Sequence, residues 1–337
     1  MINRIFVLPL VSGFVLASAT MTALPVRAGD YGLAIDAAMK QDYKTAFREF
    51  KDLADVGMAA AQFNLGLLYH HGRGVDVDVP NAIKYYTMAA EQGHSAAQNN
   101  LGSLYRRGEG IEQDYEKAAY YFNMAKDTVD VAKANLAYLH RYGLGVEKSN
   151  AKAFLYYSEA AKNGHALSIF ELGQLYEKGR GVEKDMEKAL DLYKQAARKN
   201  YDRAQFLLGE MYHKGTYVKQ DFEQAERWYR FAMNQNYPAA YYGMGQLYRD
   251  GQGVTKDLKE ALRLFRVASN RGNRRAPYDI EPLPKDHPVR SLPNSVLTPH
   301  LGFVEIDAYR RHFGEAVENI ENWLKGAPSR VIAPHKD

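Results

Sequence analysis

Leu172–Val182 reads LGQLYEKGRGV, and a similar stretch recurs along most of this chain. The shared pattern is LG-x-[LM]-Y followed by G-x-G-V, and most copies begin thirty-six residues after the previous one. A fixed period of this length is typical of an array of identical helical units, each of which packs only on its neighbours. The other copies are Leu65–Val75, Leu101–Ile111, Leu136–Val146, Leu208–Val218 and Met244–Val254.

Each unit is predicted to be a pair of helices, A and B. Helix A of one unit runs from Ser95 to Arg107, because Ala97, Leu101 and Leu104 recur at helical spacing. The glycine of the LG pair lies inside helix A, where it costs about 1 kcal/mol relative to alanine. Its recurrence therefore predicts the close approach of a neighbouring helix. The positions are Gly66, Gly102, Gly173, Gly209 and Gly245.

The ends of both helices carry capping residues. The first glycine of G-x-G fits the left-handed position that ends helix A, as at Gly108. The second glycine is replaced by Tyr217 in one copy, and we expect that loop to differ locally. An Asp or Ser follows each loop and is placed to accept the first free N–H groups of helix B. These residues are Asp78, Asp114, Ser149, Asp185, Asp221 and Asp257.

The full pattern, L-G-x-[LM]-Y-x-x-G-x-G-V with D-x-x-[KQE]-A-x-x-[YF]-[YF]-x-x-A after it, resembles the Sel-one-like repeat. That repeat is a subclass of the tetratricopeptide-like helical repeats. The resemblance covers residues 65–272, or six units. It implies an all-α fold, a right-handed α-solenoid of antiparallel helix pairs wound into a superhelix. A fold of this kind says little about the ligand, because fold does not fix function.

The repeats divide the chain into segments. Residues 29–64 resemble a tetratricopeptide hairpin that would cap the array, and residues 65–276 hold the six repeats. Residues 277–300 contain six prolines and are predicted to be an extended linker. Residues 301–326 have an apolar stripe at helical spacing and are predicted to be an amphipathic helix, and 327–337 a disordered tail. This helix either caps the last repeat or docks elsewhere as a mobile segment.

The N-terminus is typical of a secretory signal peptide. Arg4 precedes an apolar stretch from Ile5 to Leu16, and small residues stand at Val26 and Ala28. We predict cleavage after Ala28 and a periplasmic or secreted protein without a membrane span once residues 1–28 are removed. The alternative is an uncleaved anchor, since residues 5–24 are about long enough to cross a bilayer.

Composition excludes several functional classes. The chain has no cysteine, which excludes a disulfide framework and a thiol nucleophile. Its formal net charge is +4, and removing Arg4 and Arg27 with the signal peptide leaves 42 basic and 40 acidic residues, or +2. That charge is too small to indicate a nucleic-acid partner.

No motif indicates catalysis, a metal site or a cofactor. His70 and His71 lie near Asp76 and Asp78 in sequence, but this spacing matches no standard metal site. The recurring G-x-G follows a helix and lacks the Lys-Ser/Thr of a phosphate-binding loop. No serine stands in a G-x-S-x-G motif, and the S-x-x-K spacing of Ser149 and Lys152 coincides with the predicted cap of helix B. We therefore predict a protein that is not an enzyme and holds no cofactor.

The remaining candidate for a functional site is the surface of the repeat array. In tetratricopeptide-like superhelices certain helix-A positions line the concave face, and here they lean basic and aromatic. They could bind an acidic or extended peptide or an anionic glycan; alternatively, the basic residues only complement the helix dipole. The candidate groove residues are Asn99, Ser103, Arg106, Arg107, Tyr138, Arg141, Tyr142, Gln174, Lys178, Glu210, His213, Gln246 and Arg249.

These features favour a monomeric, non-catalytic scaffold or adaptor that binds a protein or peptide partner in the cell envelope. One alternative is an inhibitor of an envelope sensor, with the C-terminal helix as its switch. Another, suggested by cysteine-rich relatives that resemble this family, is the binding or hydrolysis of β-lactams or cell-wall ligands. The chain has no G-x-S-x-G motif and no cysteine, which argues against that last alternative.

Overall fold

A computed structural model describes residues 28–273, and in this range the chain forms fourteen helices and no strand. The predicted all-α repeat fold is therefore confirmed. The helices are α1 Ala28–Met39, α2 Tyr43–Asp55, α3 Ala59–His71, α4 Val79–Glu91, α5 Ser95–Arg107, α6 Tyr115–Ala125, α7 Asp130–Tyr142, α8 Asn150–Lys162, α9 Ala166–Lys178, α10 Met186–Arg198, α11 Asp202–Lys214, α12 Phe222–Asn234, α13 Pro238–Asp250 and α14 Leu258–Asn270.

The described residues fall into two compact units, 28–192 and 193–273, with the boundary inside α10. In the first unit α1 packs on α2, α3 on α4, α5 on α6 and α7 on α8. In the second unit α11 packs on α12 and α13 on α14. Each pair is joined by a short loop, so its helices run antiparallel. Within a unit, helix B of one pair also packs on helix A of the next, as α4 does on α5.

The predicted caps of helix B are formed. Asp114 Oδ1 accepts the backbone N–H of Lys117 at 2.8 Å, and Ser149 Oγ accepts that of Lys152 at 3.2 Å. Backbone hydrogen bonding of this kind lowers the pKa of the Asp78 carboxyl, which caps α4. The four remaining predicted caps bond the same way and are Asp78, Asp185, Asp221 and Asp257.

Helix A ends as expected at a left-handed glycine. Gly72, Gly108, Gly143, Gly179, Gly215 and Gly251 all have φ between 62° and 70°. The loop with Tyr217 corrects a prediction, because its backbone does not depart from the pattern. Tyr217 has φ 64°, and the glycines at this position in the other loops have φ between 63° and 75°. The tyrosine thus adopts the left-handed conformation at a cost of about 1–2 kcal/mol.

Aromatic rings of helix B explain the glycine inside helix A. A Cβ atom on Gly66 would lie 2.8 Å from the ring of Tyr86, and one on Gly102 would lie 2.9 Å from the ring of Phe122. The same relation joins Gly245 to Phe265. These rings are buried and belong to the core between the two helices of each pair. The predicted close approach is therefore confirmed, and the approaching group is an aromatic side chain.

Several predicted segments fall outside the described residues: the signal peptide apart from its last residue, and the linker, the C-terminal helix and the tail over 277–337. The predicted capping hairpin contains α1 and α2, and its range, 29–64, also takes in the first part of α3, because residue 65 marks the LG motif and not a helix start. Within 28–273 no helix has both the length and the hydropathy needed to cross a bilayer.

Candidate functional site

The candidate groove residues differ in depth. Asn99, Ser103, Arg106 and Arg141 are buried, with 0%, 1%, 3% and 6% of their surfaces exposed. Tyr142 is 48% exposed, and Lys178 is also exposed. The first four therefore contribute mainly to packing between repeats, and a partner would contact the others more readily. The partly buried members are Arg107, Tyr138, Gln174, Glu210, His213, Gln246 and Arg249.

A buried ion pair joins α7 to α9. Arg141 Nη1 donates to Glu171 Oε2, and each of the two side chains is only 5% exposed. Arg141 Nη2 also donates to Gln174 Oε1 at 3.3 Å. Burial lowers the pKa of the Arg141 guanidinium, but the Glu171 carboxylate, together with Tyr142 and Tyr157, raises that pKa on balance. Arg141 is thus held charged between two repeats.

Two arginines and two tyrosines on α5 and α7 form one connected group, termed the Arg–Tyr cluster: Arg106, Tyr138, Arg141 and Tyr142. The guanidinium of Arg106 lies 5.7 Å from the ring centroid of Tyr138, and that of Arg141 lies 5.4 Å from that of Tyr142. The two tyrosine rings are 4.8 Å apart and tilted by 52°. These are cation–π distances, so each arginine is stabilised by a neighbouring ring.

Asn99 and Ser103 make polar contacts with other buried residues of α5 and α7. Asn135 Nδ2 on α7 approaches Asn99 Oδ1 at 3.4 Å, and Asn99 Nδ2 approaches Asn100 Oδ1 at the same distance. Both contacts are longer than a typical N–H···O hydrogen bond. Ser103 Oγ donates to the carbonyl of Asn99 at 2.9 Å. These buried amides link neighbouring A helices of the first unit.

In the second unit the candidate residues bond to near neighbours. His213 Nε2 lies 2.9 Å from Gln252 Oε1 of the next repeat's loop, and its Nδ1 lies 3.2 Å from Tyr229 Oη. His213 therefore ties α11 to both its own hairpin and the next one. Glu210 pairs with Lys214, Arg249 with Asp250, and Gln246 contacts Tyr242.

The adjacent histidines His70 and His71 contact each other, and His70 also contacts the loop of the next repeat. His70 Nε2 lies 3.0 Å from Glu109 Oε1 in the next repeat's loop, while the His70 and His71 rings stack with centroids 5.0 Å apart. Asp78 caps α4. Among residues 28–273, no group of three or more His, Asp and Glu residues is placed to hold a metal ion.

Comparison with known proteins identifies the family. The Sel1 repeat profile matches residues 59–94, 95–127, 130–165, 166–201, 202–237 and 238–273, which is more than half of the chain. The chain belongs to the Sel1 repeat family. Each matched Sel1 repeat contains one helix A and one helix B. The second match is the shortest, and its helix B, α6, has only 11 residues.

Solved structures of bacterial Sel1 repeat proteins are similar. A Sel1 repeat protein from Oxalobacter formigenes is 28% identical with a TM-score of 0.66, over 72% of this chain and 97% of that one. The protective antigen c5321 of uropathogenic Escherichia coli is 27% identical with a TM-score of 0.61, over 89% of this chain and 64% of that one. These likenesses agree with the repeat fold described above.

A curated plant enzyme shares only a short stretch with this protein. Chloroplastic/mitochondrial formate dehydrogenase from Arabidopsis thaliana is 41% identical over 49 residues, which are 14% of this chain and 13% of the enzyme. The chain thus spans a small part of that relative's length, and so short a match indicates no activity.

The Sel1 repeats hold a recurring glutamine bridge that our sequence analysis missed. Gln98 Nε2 on α5 donates to the carbonyl of Ala90 in the last turn of α4 at 3.1 Å. Gln62 and Gln205 occupy the same position in their repeats and donate to the corresponding carbonyls. All three are buried. A polar residue recurring beside apolar helix positions was the signal that could have revealed it.

Two histidines at the start of helix A were also missed; the side chain of His94 caps α5, and His165 stands at the same position before α9. His94 Nδ1 accepts the backbone N–H of Ala97 at 3.3 Å, and the His94 ring stacks on Phe63 with centroids 4.6 Å apart. His165 precedes α9 and its Nδ1 lies 2.8 Å from Ser168 Oγ. Burial lowers the pKa of both imidazoles. Both residues stand directly before helix A, where an alignment of the repeats would have indicated a cap.

Proposed function

We propose that this Sel1 repeat protein is a non-catalytic scaffold that binds a partner protein or peptide through the candidate groove residues of its first unit. Sel1 repeat proteins generally act as scaffolds for protein–protein interaction. The observation that carries the proposal is the Arg–Tyr cluster, where Tyr142 is 48% exposed and its ring lies 5.4 Å from the guanidinium of Arg141. Tyrosine and arginine are the residues that most often contribute strongly to binding at protein interfaces.

Rigid positioning supports this role. Arg141 is fixed by Glu171, and Tyr142 follows it in the last turn of α7. A side chain already held in place loses little entropy on binding, so more of the contact energy appears as affinity. The residues that cap the helices are the same in most repeats, whereas the positions of the cluster residues hold different residues from one repeat to the next. The varying positions are therefore the ones available to select a partner.

Site-specific crosslinking tests the proposal. A photoreactive phenylalanine analogue replaces Tyr142 in one protein and Tyr120 in another; Tyr120 is 61% exposed on α6 and lies outside the candidate groove residues. We expect position 142 to crosslink one dominant protein in cells. That protein should co-purify with the wild type and the Tyr120→Ala variant but not with Tyr142→Ala. Equal adducts at both positions would contradict the proposal.

We further propose that the scaffold works in the cell envelope, after export. The signal-peptide pattern of residues 1–28 supports this location. N-terminal sequencing of protein from the periplasmic and membrane fractions tests it. A mature chain that starts at Gly29 in the soluble envelope fraction is expected. An intact N-terminus in the membrane fraction would favour the retained anchor.

A further inference from the structure

We propose that residues 301–326 of this chain, the predicted amphipathic helix, pack on the terminal face of the last described repeat. The terminal face consists of Leu258 and Leu262 on α14. This inference goes beyond the scaffold function and does not depend on it. Residues 301–326 lie outside the described part of the chain, and the support for their docking comes from α14 and from the chain that leaves it.

The start of helix B is normally covered by the loop of the following repeat. In the second unit Phe222 begins α12, and a Cβ atom on Gly253, in the loop between α13 and α14, would lie 2.7 Å from the Phe222 Cβ atom. Val254 of the same loop packs in the same apolar cluster as Phe222. An apolar residue at the start of helix B is therefore shielded by the next repeat. The pairs of this kind in the first unit are Gly74 with Tyr43, Gly110 with Val79, and Gly145 with Tyr115.

Leu258 lacks this cover. It begins α14 at the same position, and 57% of its surface is exposed, whereas Phe222, Val79 and Tyr115 are all partly buried. Leu262 follows one turn later on the same side of α14. Because α14 is the last of the described helices, no described loop lies over these two leucines. The terminal face thus presents apolar side chains at positions that other repeats cover.

The chain leaves α14 by the same turn that introduces helix A in other repeats. The Asn273 backbone N–H donates to the Ala268 carbonyl at 2.8 Å, and the Tyr237 N–H donates to the Ala232 carbonyl at 3.1 Å just before α13 begins. After Tyr237 comes the helix that packs on α12. After Asn273 the Sel1 match ends, so a different segment has to cover α14.

Residues 301–326 fit this place by their pattern and by their tether. At about 3.1 Å per residue, residues 274–300 can extend to about 80 Å, whereas the thirteen residues of α14 span about 20 Å. A tethered segment acts at an effective concentration of about a millimolar, so this chain's own helix is favoured over a separate protein. The apolar stripe of the predicted helix consists of Ile306, Tyr309, Phe313, Val317, Ile320 and Leu324.

Thiol reactivity tests the docking in the full chain. The protein has no cysteine, so one introduced thiol reports on one position. Leu258→Cys should react slowly with Ellman's reagent, because the docked helix covers it. Ile320→Asp places a charge in the apolar stripe and should raise this rate at least 10-fold. Asn322→Asp adds the same charge on the opposite side of the predicted helix and should leave the rate unchanged.

A second thiol separates undocking from general unfolding. Val77 is 63% exposed in the first unit, and Val77→Cys should react at the same rate with and without Ile320→Asp. If Ile320→Asp also accelerates Val77→Cys, the milder Ile320→Ala decides instead.

Three results would overturn the inference. The first is an equal rate at Leu258→Cys with and without the substitution in the stripe. The second is an acceleration at Tyr142→Cys in place of Leu258→Cys, which would mean that the helix docks among the candidate groove residues. The third is a rate at Leu258→Cys that falls as the protein concentration rises, which would mean that a second copy covers the terminal face.

Discussion

Arg141 on α7 and Glu171 on α9 form an ion pair that is almost completely buried between two Sel1 repeats. The pair stands thirty residues apart in sequence and belongs to different helix pairs, so it links the third repeat to the fourth. In a repeat array, stability depends on contacts between neighbouring units as much as on each unit. This pair is one such contact.

Replacing Glu171 with glutamine should destabilise the protein strongly. Glu171→Gln leaves the Arg141 charge buried without its carboxylate, and breaking one partner of a buried pair costs about 3–5 kcal/mol. The exposed pair of Lys51 and Asp55, whose side chains are 47% and 52% exposed, is the control, because Asp55→Asn should cost only about 0.3–0.5 kcal/mol. Urea unfolding measures both. Replacing both Arg141 and Glu171 with methionine should recover most of the loss, and a loss as large as in Glu171→Gln would contradict this explanation.

A methyl group at Gly102 should also destabilise the fold, although alanine is the better helix former. Gly102→Ala places a Cβ atom 2.9 Å from the Phe122 ring, and overpacking of this kind costs about 1–3 kcal/mol. Gly32 in α1 is the matched control, because a Cβ atom added there would meet no neighbouring group within 4 Å. Gly32→Ala should stabilise by up to about 1 kcal/mol. Equal effects of the two substitutions on the unfolding midpoint would refute the ring-contact explanation.

Local chemistry explains why so much of the fold could be predicted from the sequence. Asp114 and Gly108 act on groups within a few residues of themselves, so their roles follow from spacing alone. The contact of Arg141 with Glu171 depends on which faces of two separate helices meet, and no local rule gives that. For the same reason, the burial of Arg106 and Asn99 was not foreseen.

The buried glutamine bridges should contribute measurably to stability. Gln205 Nε2 donates to the Ala197 carbonyl at 3.2 Å, and Gln205→Leu leaves that carbonyl with only the backbone N–H of Asn200. Losing one buried hydrogen bond costs about 0.5–1.5 kcal/mol. Gln220 donates to the His213 carbonyl at 2.9 Å but is exposed, so water can replace it and Gln220→Leu should change stability by less than about 0.5 kcal/mol. Urea unfolding of both variants checks this difference, and similar losses would show that burial is not the cause.

His94 should make stability depend on pH. Burial lowers the pKa of folded His94, whereas an unfolded histidine has a pKa of about 6.5. The unfolded chain therefore binds more protons between these two values, so the stabilisation is present above about pH 6.5 and is lost as the pH falls through the folded pKa. The structural reason is that a protonated Nδ1 cannot accept the Ala97 N–H, which the neutral ring accepts at 3.3 Å.

Asparagine at position 94 separates capping from titration. Asparagine caps helices well but does not ionise, so His94→Asn should keep α5 capped at every pH. We expect the free energy of unfolding of the wild type to fall more steeply between pH 7.5 and pH 5 than that of His94→Asn, as measured by urea unfolding at each pH. The two proteins differ at no other residue, so the difference in slope reports His94. Parallel pH profiles would mean that protonation of His94 does not weaken the cap.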